Sequence, residues 1–319
     1  EAREGDSVLL LNEIGAMDPA LVTLMEEAAR QAGAEVHSLW GESIPAAQTS
    51  FSKVLIAAMR AADKVVMSYA INREHLHPYL KDLQTVRVNN RCRTPELFAT
   101  EHTRLHWGMV RAIYAHIEET FASGTTWRVS SPAGTDVSGR VGKASEVADA
   151  YFAGEAAAQR YYRVFPGETY SPAGSLDAVG KIVSDHPGNN ASMTDDLTTL
   201  VVEGNQVVAI QGGAVADQIK RTLDGHREKY GAGAYVVDSF HGGMHPKAIN
   251  DPKGIGAIST TERLHFHNRT LAGHYGAGVS FQTVEVDGRA VYENGKLAIL
   301  DDPEIRAAAA SFGLEDGPG

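Results

Sequence analysis

Ser7-Val-Leu-Leu-Leu-Asn12, followed by Asp18-Pro19, is the stretch that decides the fold of the N-terminal part of the chain. The short apolar run is typical of a buried strand. Asp18 supplies a helix N-cap and Pro19 a first-turn proline, so the sequence predicts a helix from there to about Ala32. A buried strand followed at once by a helix is the repeating unit of an α/β fold.

The same alternation continues along the first third of the chain. Further strands are predicted at 34–40, 64–69 and 86–88, and helices at 52–62 and 73–83. Because parallel neighbours need crossover connections, this pattern favours a parallel, doubly wound sheet. A long helix from about Pro95 to Phe121 closes the domain, and the linker after it places the domain at residues 1–125. No Gly-x-Gly-x-x-Gly motif follows the first strand, so no nucleotide cofactor is predicted.

From Trp127 onward the pattern changes to short strands and glycine turns. One hairpin turns at Gly204-Asn205, and two more turns are signalled by Asp287-Gly288 and Asn294-Gly295. A single helix, from about Ala214 to Tyr230, interrupts these strands. The sequence therefore predicts a second domain, residues 126–319, of mixed α/β type with antiparallel pairing. Two domains also fit a length of 319 residues at roughly 150 residues per domain.

Composition narrows the class of partner. The chain is 43% hydrophobic and carries a formal charge of −11, and its apolar runs fall short of the ~18 residues that a membrane span needs. We therefore expect no membrane segment and no general attraction for nucleic acid. The one cysteine, Cys92, cannot form an intramolecular disulfide, and no leader-like segment precedes Ser7. These features favour a cytoplasmic setting.

Histidines indicate where the chemistry lies. Six of the thirteen fall between His226 and His274, and five of those form two glycine-bounded patches: His241, His245, His265, His267 and His274. Imidazole is a common metal ligand and proton shuttle, so the clustering predicts a metal site. A second pair, His102 and His106, has the i, i+4 spacing of one helix face, and we interpret it as a polar or interface face rather than a metal site.

The order of motifs resembles a known family. Gly134-Thr-Asp136, Phe165-Pro-Gly-Glu-Thr-Tyr-Ser-Pro172, a Val-Glu-Gly hairpin, Gly243-Met-His-Pro-Lys-Ala248, a histidine-bearing strand and Val286-Asp-Gly288 follow one another. This order resembles the aminopeptidase T family of metallopeptidases and its relative, the iron-dependent 2,5-dihydroxypyridine 5,6-dioxygenases. The resemblance covers most of the chain. It implies an α/β N-terminal domain, a metal-bearing C-terminal domain and a homodimer.

The resemblance also implies metal ligands. Glu168 falls on the glutamate of the family's Phe-Pro-x-Gly-Glu loop, where the peptidases place a ligand. His265 resembles the ligand histidine of a family strand. His274 stands thirteen residues before Asp287, as does the first ligand of the family's His-x-Asp pair.

Two family positions are altered. The aspartate of the His-x-Asp pair is Gly276 here, and another family ligand position falls close to Ser239, two residues before His241. We therefore treat His241 as a candidate replacement. The lost acids disfavour a two-metal peptidase, whereas a mononuclear site needs three ligands with open positions.

Three interpretations remain open. In the first, Fe(II) held by histidines and Glu168 opens a hydroxylated N-heterocyclic or aromatic ring, and His241 or Tyr275 moves protons. In the second, zinc, manganese or cobalt serves an amide or peptide hydrolase, with Glu168 as ligand or general base. In the third, the scaffold has lost its metal and acts as a binding protein. The first two predict a small-molecule substrate.

Overall fold

A computed structural model describes residues 2–42, 52–68, 85–142, 162–165, 169–170, 175–187, 193–248, 260–267, 277–314 and 317. The chain divides into two compact units. The first contains Glu1–Thr103 and Ala148–Pro166, and the second contains Arg104–Val147 and Gly167–Gly319. The boundary thus differs from the predicted division at residue 125, because the chain enters the second unit earlier and returns once to the first.

The first unit is built on a parallel sheet, as the alternating pattern predicts. Its order is β2-β1-β3-β4-β7, with all neighbouring strands parallel. The last strand belongs to the returning segment and was not predicted. The strands are β1 (Ser7–Glu13), β2 (Glu35–Gly41), β3 (Lys64–Ser68), β4 (Val86–Asn90) and β7 (Tyr162–Phe165).

The predicted capping signals hold in the first helix. Helix α1 (Pro19–Gln31) begins after Asp18, whose Oδ1 accepts a hydrogen bond from the Ala20 amide at 2.8 Å. Helix α2 (Lys53–Ala61) is capped in the same way by Ser52. The predicted helix at 73–83 lies outside the described residues.

The long helix predicted from Pro95 to Phe121 is wrong as a single element. Three helices replace it, α3 (Pro95–Phe98), α4 (Glu101–Arg104) and α5 (Trp107–Ser123). Helix α5 begins as a separate helix because His106 acts as its N-cap and accepts a hydrogen bond from the Gly108 amide at 3.1 Å. His102 and His106 therefore do not share one helix face. His102 is buried in α4, and the His106 ring stacks on Phe312.

The second unit holds two antiparallel sheets. The larger has the order β12-β11-β9-β6-β5-β16-β17-β18, and the predicted hairpins at 204–205, 287–288 and 294–295 all lie in it. Its strands are β5 (Thr126–Ser130), β6 (Asp136–Val141), β9 (Ser175–Ser184), β11 (Thr198–Glu203), β12 (Gln206–Gln211), β16 (Thr283–Val286), β17 (Arg289–Glu293) and β18 (Lys296–Leu297).

The smaller sheet, here called the histidine sheet, has the order β10-β15-β14-β13-β8. Its strands are β8 (Thr169–Tyr170), β10 (His186–Pro187), β13 (Ser239–Gly243), β14 (Arg263–His267) and β15 (Ala277–Ser280). Among the described residues the unit also contains α6 (Ala214–Tyr230), at its predicted bounds, and α7 (Pro303–Ser311).

One hydrophobic core holds the second unit together. Helix α5 contributes Ile113, Ile117 and Phe121, which join side chains of both sheets in a single buried cluster. The histidine sheet contributes Phe240 and Phe266 to it. One face of this sheet is therefore fixed against the core, which determines where its other face points.

None of the helices in the described ranges combines the length and apolar character that a membrane crossing requires.

Buried His102 makes the stability of the protein dependent on pH. Burial lowers the pKa of its imidazole from 6.5 to about 4, so the unfolded chain binds a proton at a higher pH than the folded chain does. The stabilisation is complete above pH 6.5 and is lost as pH falls towards 4, by up to about 3 kcal/mol at ~1.4 kcal/mol per pKa unit. Urea unfolding of the wild type and of His102→Gln, between pH 7 and 4, measures the difference.

The exposed His37 gives the matched control for this measurement. His37→Gln should retain the wild-type slope of unfolding free energy against pH, whereas His102→Gln should make that slope shallower. Equal slopes in all three proteins would contradict the assignment.

Candidate active site

A row of histidines crosses the histidine sheet. His241 of β13 pairs with His265 of β14, His265 pairs with Gly278 of β15, and Gly278 pairs with His186 of β10. Directly paired residues of antiparallel strands place their side chains on the same face of a sheet. Three imidazoles therefore lie in one line on one face, and the glycine stands between two of them.

Alternation explains why the sequence puts these side chains there. In β13 and β14, Phe240, Leu264 and Phe266 are buried in the core. Because successive strand residues point to opposite faces, His241 and His265 point away from that core. The aromatic and aliphatic positions thus fix the register, and the register presents the histidines.

His241 and His265 form a close pair. Their ring centroids lie 5.4 Å apart, with an angle of 18° between the ring planes, and both side chains are half-buried. Burial, with smaller electrostatic contributions from Arg263 and His186, lowers the pKa of His265 to about 4. His265 is therefore neutral near pH 7, and a neutral imidazole has the nitrogen lone pair that a metal needs.

A buried polar group adjoins this pair. Arg263 lies two residues before His265, so both side chains are on one face, and it pairs across the strands with Ser280. Ser280 donates a hydrogen bond to Asp185 Oδ1 at 3.2 Å and lies 2.6 Å from His186 Nε2. All four of these additional residues are less than a tenth exposed. Burial lowers the pKa of the Arg263 guanidinium, and Asp185 opposes that effect.

Gly278 makes room for His186 on this face. A Cβ atom at residue 278 would lie only 2.6 Å from His186 Cβ and 3.1 Å from the His186 carbonyl oxygen. Real Cβ atoms do not approach other carbons so closely, so only glycine permits the His186 side chain in its place.

Two of the predicted ligands, His241 and His265, are therefore brought together. Glu168, His274 and Tyr275, as well as Gly276, lie outside the described residues. In the described ranges, no group of three or more His, Cys, Asp and Glu side chains is arranged to hold a metal ion. Of the four predicted ligands, the two in the described ranges are therefore next to each other.

Other residues singled out in the sequence have different positions. Ser239 is fully buried, lies two residues before His241 in β13 and pairs with His267 of β14. Residues two apart in a strand share a face, so Ser239 and His241 border the same surface. His245 is buried, and its Nδ1 accepts a hydrogen bond from the Lys247 amide at 3.1 Å. That bond stabilises a turn.

His186, Asp185, Ser280 and Arg263 were missed in the sequence. His186 and Asp185 stand far from the histidine patches along the chain, and only strand pairing brings them to this face. Arg263 had a local signal, because an Arg-x-His pattern in a strand puts both side chains on one face.

The chain matches no protein-family model and no curated protein. Solved structures do share its fold. The 2,5-dihydroxypyridine dioxygenase from Pseudomonas putida KT2440 has a TM-score of 0.68 and 17% sequence identity, covering 94% of this chain and 93% of that one. AmpT from Thermus thermophilus has a TM-score of 0.53 and 14% identity, covering 93% and 95%. The fold that the motif order predicts is thus confirmed.

Gly278→Ala tests the packing of the histidine row. The added methyl must displace His186, so we expect a loss of about 1–3 kcal/mol in the free energy of unfolding. Gly225→Ala is the matched control, because Gly225 lies within α6 and a Cβ there would meet no atom within 4 Å. Alanine at that helical position should instead stabilise by roughly 0.5–1 kcal/mol.

Urea unfolding measures both variants. Gly278→Ala as stable as Gly225→Ala would mean that His186 does not occupy the space above residue 278.

Proposed function

We propose that this protein is a mononuclear, non-haem iron(II) enzyme that opens a hydroxylated N-heterocyclic ring of the dihydroxypyridine type, or a related aromatic ring, with dioxygen. The observation that carries the proposal is the stacked His241–His265 pair on the polar face of the histidine sheet. The fold shared with a 2,5-dihydroxypyridine dioxygenase supports it.

The donor set fits a ferrous ion. His241 and His265 would supply two imidazoles, and His265 is neutral at working pH. Glu168 and His274 are the proposed remaining ligands, carried over from the motif resemblance. Two or three histidines with one carboxylate form the ligand type that binds Fe(II) and leaves positions open. When bound, the ion supplies the redox chemistry that joins dioxygen to the ring.

The residues of the chain supply the electrostatics. Arg263 places a buried guanidinium beside His265, and a fixed positive charge in a water-poor site stabilises negative charge on a ring oxygen. This favours a hydroxylated ring in its anionic form as substrate. Tyr275 is the proposed group for moving the hydroxyl proton, since His241 is proposed as a ligand.

A hydrolase of the same fold is the second candidate. The likeness to AmpT favours it, and Glu168 would then act as ligand or general base with zinc, manganese or cobalt. Because Gly276 and Ser239 stand at or close to family ligand positions and carry no carboxylate, this candidate is also proposed with one metal. A homodimer in the cytoplasm acting on a small molecule remains the proposed setting in both cases.

Metal analysis of anaerobically purified protein tests the choice. We expect one iron per chain and oxygen uptake that depends on added 2,5-dihydroxypyridine. Zinc, manganese or cobalt with cleavage of an amide would instead support the hydrolase. A protein that binds none of these metals after reconstitution would contradict both enzymes and leave the binding-protein interpretation.

Alanine variants test the ligands. His265→Ala and His274→Ala should each abolish stoichiometric iron binding, because a site of only four protein ligands that loses one imidazole holds its ion poorly. His37→Ala, at an exposed histidine, should bind iron as the wild type does. Iron content is measured by plasma mass spectrometry after anaerobic reconstitution. Wild-type iron in either site variant would remove that residue from the ligand set.

A further inference from the structure

We propose that His186, held by Ser280 and Asp185, is a positioning residue that fixes His265 for metal binding. The inference rests on the proposed function, because it assumes a metal at His265. It assigns a role to three side chains that the motif resemblance leaves without one.

His186 stands in the same row as the two candidate ligands. Neighbouring strands lie roughly 4.8 Å apart, so β10 and β14 are about 10 Å apart with β15 between them. Gly278 carries no side chain into this gap, and the His186 side chain lies over it. The Nε2 atom of His186 lies 2.6 Å from Ser280 Oγ of β15. His265 therefore lies between two imidazoles, with the stacked His241 on one side and His186 on the other.

The direction of the hydrogen bonds fixes the tautomer of His186. The Asp185 carboxylate is an acceptor only, so the Ser280 hydroxyl donates its proton to Oδ1 at 3.2 Å. Ser280 Oγ is then left to accept from His186 Nε2 at 2.6 Å. His186 is thereby held as the tautomer with its proton on Nε2 and its lone pair on Nδ1.

The three side chains of this hydrogen-bonded group are all buried. His186 is 0% exposed, Ser280 4% and Asp185 5%, so none of the three relaxes into water. The His186 side chain lies over Gly278, the residue that pairs with His265, since its Cβ and Cγ atoms would lie 2.6 and 3.5 Å from a Cβ at residue 278. A buried chain of this kind fixes an adjacent ligand before the metal arrives, and outer partners of metal ligands typically contribute about 10–100-fold in metal affinity.

Two substitutions at one position separate positioning from mere packing. Glutamine puts its amide N–H near the place of Nε2 and can still donate to Ser280, whereas asparagine puts its amide near Nδ1 and cannot. We expect His186→Gln to bind Co(II), used as a spectroscopic probe, within about threefold of the wild type. His186→Asn and Ser280→Ala should bind it about 10–100-fold more weakly, with a changed visible spectrum.

Matched controls accompany these variants. His116 lies on α5, outside the histidine sheet, and its Nε2 bonds to Asp302 at 2.7 Å. His116→Gln should leave Co(II) affinity and spectrum unchanged. Nitrogen-15 NMR of the zinc-loaded protein reads the tautomer directly. The His186 proton is expected on Nε2 in the wild type and on Nδ1 in Asp185→Ala, where the acceptor is removed and Ser280 is free to donate to the ring.

Each result decides the proposal. Equal affinity and spectrum in the wild type, His186→Asn and Ser280→Ala would overturn the positioning role. Complete loss of metal from His186→Gln would make His186 a ligand and overturn it as well. If Asn unfolds the protein, Ser280→Ala carries the same test. A wild type that binds no metal would overturn the proposed function itself, which distinguishes that failure from a failure at His186.

Discussion

The register of the histidine sheet is the constraint on which the proposed chemistry depends. The core of the second unit contains Phe240, Leu264 and Phe266. Their burial allows only one register and one facing of strands β13 and β14. A slip of one residue in either strand would turn every side chain of that strand to the opposite face. The hydrophobic core thus determines the geometry of His241 and His265, although it touches the opposite side of the sheet.

The polar face of this sheet is costly to build. Arg263, Asp185 and His186 are all nearly inaccessible to water, and a buried polar group left without a partner costs about 1–3 kcal/mol. Hydrogen bonds through Ser280 and the opposite charges of Asp185 and Arg263 offset part of that cost. Perturbed groups gathered in this way are more frequent at functional sites than in purely structural cores. A role in binding or catalysis would explain why buried polar groups that lower the stability are retained on this face.

Local signals predicted most of the elements, and long-range pairing produced most of what was missed. Asp18-Pro19 and Asn294-Gly295 predicted a helix start and a hairpin because a cap or a turn depends on a few adjacent residues. The break before α5 was missed because His106 caps a helix that the apolar periodicity crosses without interruption. Strand β7 and the role of His186 depend on pairing between distant segments, which no local pattern records. Clustering and resemblance made His241 and His265 candidate ligands, but only the register showed that they are paired across two strands.

The central claim is that one iron ion is held on the polar face of the histidine sheet. The most direct measurement is an anomalous difference map at the iron edge, from crystals of anaerobically iron-loaded protein. The account predicts a single peak per chain within coordination distance of the His241 and His265 rings, about 2.0–2.2 Å from an imidazole nitrogen of each. Two peaks separated by a few ångströms, or one peak away from this pair, would contradict it.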